Sequence, residues 1–226
     1  MALNYKMVLG WQGAVVTGQF DPARTGINQT LSVDKLSVTS PSTTDLGVAM
    51  SITGHSTGKW CFEYTVTVGA TGASNYYQSI GICPAGWSTT DINTGLVGGS
   101  INLSIGLRDD TTTPGSLYMN GSVTGGINTF GEAVNPGGTG ICAIDLDNKL
   151  IWYKGSSTAW QNLWYNTPLS SCDPVAGIGG VSFAAVTGAP YYIGAGGRYG
   201  QTYKINFTGT TQTPTFGAPS GYSWWG

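Results

Sequence analysis

Short runs of β-branched and aromatic residues, separated by glycine-rich turns, constrain the fold of this chain most. Gly accounts for 36 of the 226 residues and falls between runs rich in Val, Ile, Thr, Tyr, Phe and Trp. Those residue types favour strands, whereas Gly favours turns. No stretch of a dozen residues carries a clean helical period. The sequence therefore predicts an all-β fold of many short strands, a sandwich or a barrel. The predicted strands are residues 29–38, 59–68, 79–83, 100–107, 116–119, 139–146, 149–154 and 201–207.

Residues 59–68 form the clearest predicted strand, because alternate residues of a strand point to opposite faces of the sheet. The face expected to point into the core carries Trp60, Phe62, Tyr64, Val66 and Val68. The opposite face carries Lys59, Cys61, Glu63, Thr65 and Thr67. Farther along, Asp147-Asn148 is predicted to be a two-residue turn of a hairpin that joins residues 141–146 to 149–153.

The surface predicted from composition is polar but nearly uncharged. Charged residues make up 9% of the chain, the formal net charge is −2, and the nine Lys and Arg residues form no cluster. This excludes the basic patch that nucleic-acid binding requires. No apolar run approaches the roughly 20 residues that cross a bilayer. Neutral polar surfaces of this kind suit proteins that meet sugars or other proteins.

Several motifs occur in an order that resembles the SPRY family. They are Asp21-Pro22-Ala23, Gly58-Lys59-Trp60-Cys61-Phe62-Glu63, Ile80-Gly81-Ile82, Tyr118-Met119-Asn120-Gly121, the segment from Ile144 to Tyr153, and Asn206-Phe207 with Pro219-Ser220-Gly221-Tyr222. The first motif resembles the lead-in of phage and bacterial members. The resemblance implies one jelly-roll-like domain, residues 20–226, made of two antiparallel sheets packed face to face. It also implies a binding function, since animal members bind short peptides.

Residues 1–19 precede the family match and are rich in apolar side chains. We expect this N-terminal arm to dock on a neighbouring copy or another subunit, through residues that include Tyr5, Leu9 and Trp11. The alternative is an extra strand on its own sandwich. The arm contains no convincing signal peptide. Either a signal was removed before this numbering or the protein does not use the secretory pathway, and Met1 favours the second alternative. An uncharged surface without an export signal predicts a phage virion protein, which leaves the cell by lysis.

The four cysteines, Cys61, Cys83, Cys142 and Cys172, leave two alternatives open. Buried free thiols in strands are one, because free Cys packs as a small apolar residue. A disulfide is the other. None of them forms a Cys-x-x-Cys pair, so we expect no zinc site, and the sequence indicates no cofactor.

Catalytic motifs are not evident. His55 is the one histidine and is predicted to lie in a solvated loop before the core strand. The segment Gly54-His55-Ser56-Thr57-Gly58 leads into that strand, whereas a nucleophile elbow leads from a strand into a helix. Glu63 is expected to be a hydrogen-bonded structural carboxylate, and Glu132 lies in a glycine-rich segment. The paired carboxylates of a glycosidase strand are also missing from the sequence. The sequence therefore predicts that the protein is not an enzyme.

Aromatic residues in polar segments are the candidate ligand-binding residues. One group is Tyr76, Tyr77 and Trp87, and the other is Trp160, Trp164 and Tyr165. Such rings suit sugar faces or protein partners, and the alternative is packing over the ends of the sandwich. The leading hypothesis is a fibre, spike or capsid-decoration domain of a tailed phage that recognises a host-surface glycan. A stand-alone lectin-like module is the second, and a polysaccharide hydrolase the third.

Overall fold

The computed structural model describes residues 18–68, 78–99, 103–109, 116–125, 137–155, 172–210 and 214–226. These residues form two sheets and one short helix, α1, Thr89–Thr94. The first sheet has the order β1-β4-β13-β6-β7-β8-β9. Its strands are β1 Phe20–Thr25, β4 Val48–His55, β6 Gln78–Pro84, β7 Ile105–Asp109, β8 Ser116–Met119, β9 Ser122–Gly125 and β13 Tyr191–Gly197.

The second sheet has the order β12-β11-β10-β5-β14-β3-β2, with β15 beside β5. Its strands are β2 Thr30–Leu31, β3 Ser37–Ser40, β5 Lys59–Val68, β10 Thr139–Asp145, β11 Leu150–Gly155, β12 Val181–Ser182, β14 Gln201–Asn206 and β15 Ser223–Trp224. The pairings are antiparallel except that of β15 with β5, which is parallel. The predicted two-sheet antiparallel sandwich is confirmed.

The main core lies between the two sheets, and β5 supplies its centre. Phe62, Tyr64 and Val66 are almost completely buried there, as the alternation along this strand predicts. The prediction was too broad at both ends of the strand. Trp60 is only partly buried against this core, and Val68 is 47% exposed because the strand ends there at the rim of the sheet.

The outer face of β5 is also covered, which the alternation did not indicate. Residues 214–226, here called the C-terminal strap, lie across this face. Cys61 and the Trp152 side chain of β11 are fully buried beneath it, together with Tyr222 of the strap. The Phe216 N–H donates to Glu63 Oε2 at 2.8 Å, which confirms that this carboxylate is hydrogen-bonded within the fold.

Two hairpins show how the turns are made. β10 and β11 form the predicted hairpin, but Asp145 pairs with Leu150, so the turn holds four residues instead of two. Asp145 accepts hydrogen bonds from the backbone N–H groups of Asp147 and Asn148, which lengthens the turn. β8 and β9 are joined at Asn120-Gly121, both at positive φ.

Residues 29–38, predicted as one strand, form two. β2 and β3 pair with each other across a turn at residues 32–35, where Lys35 has a φ of 55°. The prediction was wrong because Ser32 and Asp34 satisfy backbone N–H groups of the turn, which competes with an extended strand.

The helix α1 begins at Ser88, whose side chain and that of Asp91 form a capping box. None of the helices formed by the described residues is long and apolar enough to cross a membrane. All four cysteines are free, and three of them, Cys61, Cys83 and Cys142, are buried. The alternative of buried free thiols is therefore confirmed for these three.

Candidate functional site

A groove runs along one edge of the sandwich, between the edge strand of each sheet. β1 is the outermost strand of the first sheet and β2 that of the second. The chain turns directly from one into the other, so the two strands flank the same opening. This edge groove has a volume of about 490 Å³. Its lining residues are Pro22, Thr25, Gly26, Ile27, Gln29, Leu31, Ser32, Val33 and Lys35.

The turn that joins β1 to β2 forms one wall of the edge groove, and hydrogen bonds hold it on both sides. The Gly26 N–H donates to the Val48 carbonyl at 3.0 Å, and the Ile27 N–H donates to Asn93 Oδ1 at 2.9 Å. A Cβ at Gly26 would lie 2.5 Å from the Ile92 carbonyl oxygen of α1, so the turn fits against this helix only without a side chain. Ile27 is therefore presented on a fixed backbone.

The turn that joins β2 to β3 forms the opposite wall. The Ser37 N–H donates to the Ser32 hydroxyl at 2.9 Å, and the Leu36 N–H donates to Asp34 Oδ1 at 3.1 Å. The Ser32 hydroxyl also donates to Asp34. The hydrogen bonds from the Ser32 hydroxyl and the Leu36 N–H hold the pKa of the Asp34 carboxyl below its ordinary value of 3.8. Val33 lies at the tip of this turn.

The rim of the edge groove is apolar and exposed, whereas one buried lining residue is polar and fixed. Ile27 is 82% exposed and Val33 is fully exposed. Gln29 is buried, accepts a hydrogen bond from the Ser40 hydroxyl and donates to the Gly197 carbonyl. Because the Gln29 amide already has partners on both atoms, the chemistry that the groove offers is mainly apolar contact. Lys35 adds one positive charge among the lining residues.

The residues predicted to bind ligand are mostly not described. Tyr76, Tyr77, Trp160, Trp164 and Tyr165 lie outside the described residues, as do Tyr5, Leu9 and Trp11 of the arm and the carboxylate Glu132.

Trp87 is the one member of the predicted aromatic groups that is described. It is 8% exposed and lies in a cluster with Val48, Met50 and Ile92. Trp87 therefore packs at the end of the sandwich, which is the alternative that the sequence left open. Little of its ring face is accessible to a ligand.

His55 is not in a solvated loop, contrary to the prediction. It is the last residue of β4 and half-buried. Its ring stacks on Trp60 with centroids 3.5 Å apart, and its Nε2 is 2.8 Å from the Trp225 carbonyl oxygen, to which it can donate. Trp225 is fully buried in the main core, and Trp224 beside it is half-buried in β15.

Sequence reasoning missed the edge groove because its signal is weak. Ile27 and Val33 are single apolar residues within polar turns, and isolated exposed apolar residues are common on protein surfaces. Only the folded arrangement of β1 beside β2 brings them to one opening. In the described residues, no three His, Cys, Asp or Glu side chains come close enough together to hold a metal ion.

The fold is a SPRY-like β-sandwich. The SPRY domain of human HERC1 superimposes with a TM-score of 0.57 at 16% identity, over 82% of this chain and 96% of that one. The TRIM65 PSpry domain gives 0.49 at 14% identity, over 83% and 90% of the two chains. Stonustoxin gives 0.49 at 14%, over 83% of this chain and 26% of its own. At these identities the likeness establishes the fold alone. No protein-family model matches the sequence. No curated protein matches it either.

Proposed function

We propose that this protein is a non-catalytic structural and binding component of a tailed phage virion: a fibre, spike or capsid-decoration domain. In this role it assembles with copies of itself or with other virion proteins. Its SPRY-like sandwich supports the binding part of the proposal, because the family resemblance implies recognition and not turnover. The low content of charged residues, 9%, supports the virion part, since neutral polar surfaces are frequent on virions.

The non-catalytic part of the proposal is supported by the state of three side chains that could act in acid–base catalysis, His55, Glu63 and Asp145. Each of them contacts partners within the fold. The His55 ring stacks on the Trp60 ring, and its Nε2 is within hydrogen-bond distance of the Trp225 carbonyl. Glu63 is buried and accepts the Phe216 N–H. Asp145 is buried, accepts the N–H groups of its own turn and lies 3.4 Å from Lys59 Nζ. A general base must reach a substrate proton, and these groups face partners inside the fold.

The location on a particle is tested by purifying the phage that encodes the protein. Mass spectrometry of the particles and antibody labelling in electron micrographs should find the chain in a fixed number of copies per virion. A chain present in the lysate but missing from gradient-purified particles would refute the virion proposal.

The non-catalytic part is tested with the pure protein on capsule polysaccharide and on peptidoglycan. We expect no release of reducing ends or of peptide fragments. Hydrolysis that disappears in His55→Gln, Glu63→Gln or Glu132→Gln, while the variants keep their thermal stability, would show that the protein is a hydrolase.

Glycan recognition is the second part of the proposed binding role. It rests on Trp160, Trp164 and Tyr165. Trp164→Ala should weaken binding on a glycan array of neutral sugars without lowering the melting temperature. A stability loss of ~3–5 kcal/mol, the usual effect of truncating a core Trp, would instead assign Trp164 to packing. Binding by the pure domain, with no copy found on particles, would favour a stand-alone lectin-like module.

A further inference from the structure

We propose that the edge groove is the acceptor site for the N-terminal arm of a neighbouring copy of the same chain. This inference rests on the proposed function, which includes assembly of copies, and it assigns the surface on which that assembly depends. The occupant is the apolar part of the arm, between Tyr5 and Val16, with Leu9 and Trp11 as the largest apolar side chains near its middle.

The first argument is the state of the groove itself. Ile27 and Val33, at 82% and 104% exposed, have the highest exposures among the large apolar side chains of the described residues, and they line the same groove. Both are carried by hydrogen-bonded turns, so ordering them on binding costs little conformational entropy. A preformed apolar opening of about 490 Å³ has room for a few large side chains, within the range of typical ligand sites.

The second argument concerns how an occupant would be held. Pro22 is in the edge strand β1 and has no N–H to donate, and the pairing of β1 with β4 shifts register between Phe20 and Thr25. An edge of this kind does not accept a regular added strand. The groove therefore selects its partner through apolar side-chain contact, which matches the composition of the arm. The arm carries one charged residue, Lys6, in its first 17 residues.

The third argument is the place at which the described chain begins. The Gln19 carbonyl accepts the Ile52 N–H, and the Phe20 N–H donates to the Lys35 carbonyl, which fixes the start of β1. Gly18 lies against Thr208, since a Cβ there would be 2.5 Å from Thr208 Cγ2. Gln19 Nε2 also donates to the Asp34 carbonyl at 3.0 Å, so the described chain begins beside the turn that carries Val33, at one end of its own groove. Two copies that face each other through their grooves can therefore exchange arms over a short distance.

The length of the arm suits this arrangement. Seventeen residues precede Gly18, and an extended chain spans about 3.3 Å per residue. The arm can thus bridge a gap of several tens of ångströms between two sandwiches. An exchange of arms between two copies closes a dimer, whereas passing each arm to the next copy gives a ring or a filament.

The experiment uses the full chain and measures its mass by light scattering over a range of concentrations. The wild-type mass should be a multiple of the 23.5 kDa chain mass. The arm variant Leu9→Asp and the groove variant Ile27→Asp/Val33→Asp should each raise the dissociation concentration at least about tenfold, because a carboxylate would be buried in an apolar contact. At a protein concentration at which the wild type is also dissociated, the groove variant should have the melting temperature of the wild type, since the groove positions are exposed.

A matched control places the same charges elsewhere. Val175 and Ile178 are 48% and 49% exposed in a turn outside the edge groove. The variant Val175→Asp/Ile178→Asp should assemble as the wild type does.

A cross-linking experiment identifies the contact. Two differently tagged chains, Leu9→Cys and Val33→Cys, both in a Cys172→Ser background, are mixed and oxidised. We expect a disulfide between the two tags, and none when Val175→Cys replaces Val33→Cys.

The outcomes separate this inference from the function on which it rests. A wild-type chain that is monomeric at all concentrations would overturn the groove as the acceptor for a neighbouring copy, and the assembly part of the proposed function would then require other virion proteins. Assembly that is lost in Leu9→Asp but kept in the groove variant would overturn the groove alone. A monomeric Leu9→Cys/Val33→Cys double variant that cross-links within one chain would show that the arm fills its own groove, which overturns the neighbouring copy as the partner.

Discussion

At the scale of single residues, His55 joins two parts of the chain that are far apart in sequence. Its Nε2 donates a hydrogen bond to the carbonyl of Trp225, 170 residues later, and the Trp225 indole N–H donates to the Thr53 carbonyl at 3.0 Å. Burial lowers the pKa of His55 below its ordinary value of 6.5, and the hydrogen bond to the Trp225 carbonyl opposes this only in part. The fold therefore prefers the neutral ring.

This preference makes stability depend on pH. Because the pKa is lower in the folded state, the unfolded chain binds the proton more readily as the pH falls. The stability that depends on neutral His55 should be complete above about pH 6.5 and should be lost as the pH falls through the folded pKa. Urea unfolding measured between pH 7.5 and pH 5 checks this, since carboxyl groups with pKa values of about 4 change little in that window.

His55→Gln is the control, because His55 is the one histidine of the chain. The variant should lose the pH dependence between pH 7.5 and pH 5. A wild-type unfolding free energy that is constant over the same range would show that His55 is equally protonated in both states.

The tight turn at Asn120-Gly121 supplies a second prediction about single residues. Gly121 has a φ of 82°, a conformation in which a Cβ is strained. Gly121→Ala should lower the free energy of unfolding by about 1–2 kcal/mol. Gly86→Ala is the matched control, because no atom lies within 4 Å of the added Cβ and the backbone there is not left-handed. An equal effect of the two substitutions in thermal unfolding would contradict the prediction.

At the scale of elements, the C-terminal strap adds a short strand to the second sheet. β15 pairs with β5, and the Trp225 N–H donates to the Cys61 carbonyl at 2.9 Å. The Trp225 side chain is fully buried in the main core, while Trp224 next to it is half-buried on the outer face. The two neighbouring Trp residues therefore make different contributions to stability.

Truncation of each Trp measures the difference. Trp225→Ala should lower the unfolding free energy by ~3–5 kcal/mol, as expected for a large core side chain. Trp224→Ala removes a side chain that solvent already reaches, so its effect should be clearly smaller. Denaturant titrations of the two variants and the wild type give both values. A Trp224→Ala variant as unstable as Trp225→Ala would mean that the outer face is as important to folding as the core.

Elements with a clear pattern in their own residues could be predicted, whereas features made by residues distant in sequence could not. β5 was predicted with its observed limits because aromatic residues alternate along it. β4 and β13 were missed, since both are largely buried and contain Gly and Ala, which leaves little alternation to detect. The cover on the outer face of β5 could not be predicted locally, because the strap that forms it lies more than 150 residues away in the sequence. The edge groove likewise exists only through the pairing of distant strands.

At the scale of the whole molecule, the fold is complete without a covalent cross-link. Cys61, Cys83 and Cys142 are buried, and burial raises the pKa of Cys61 to about 12. Only Cys172 is partly exposed. Thiolates react and buried thiols do not, so the four thiols should differ strongly in reactivity.

Alkylation of the native protein followed by mass spectrometry tests this. Cys172 should be labelled first, and the other three only after denaturation. The melting temperature should be the same with and without a reductant. A melting temperature that falls on reduction would indicate a disulfide in the purified protein.

The irregular edges of the two sheets affect whether the protein aggregates at high concentration. A net charge of −2 gives little electrostatic repulsion between molecules. β2 and β12 are two residues long, and β1 contains Pro22 and a shift of register. Such edges are poor templates for strand addition, which is the usual route to amyloid-like aggregates. We therefore expect concentrated solutions of the folded protein to form no amyloid-like aggregates through these three edges, because their irregularity and not the net charge prevents copies from joining sheet to sheet.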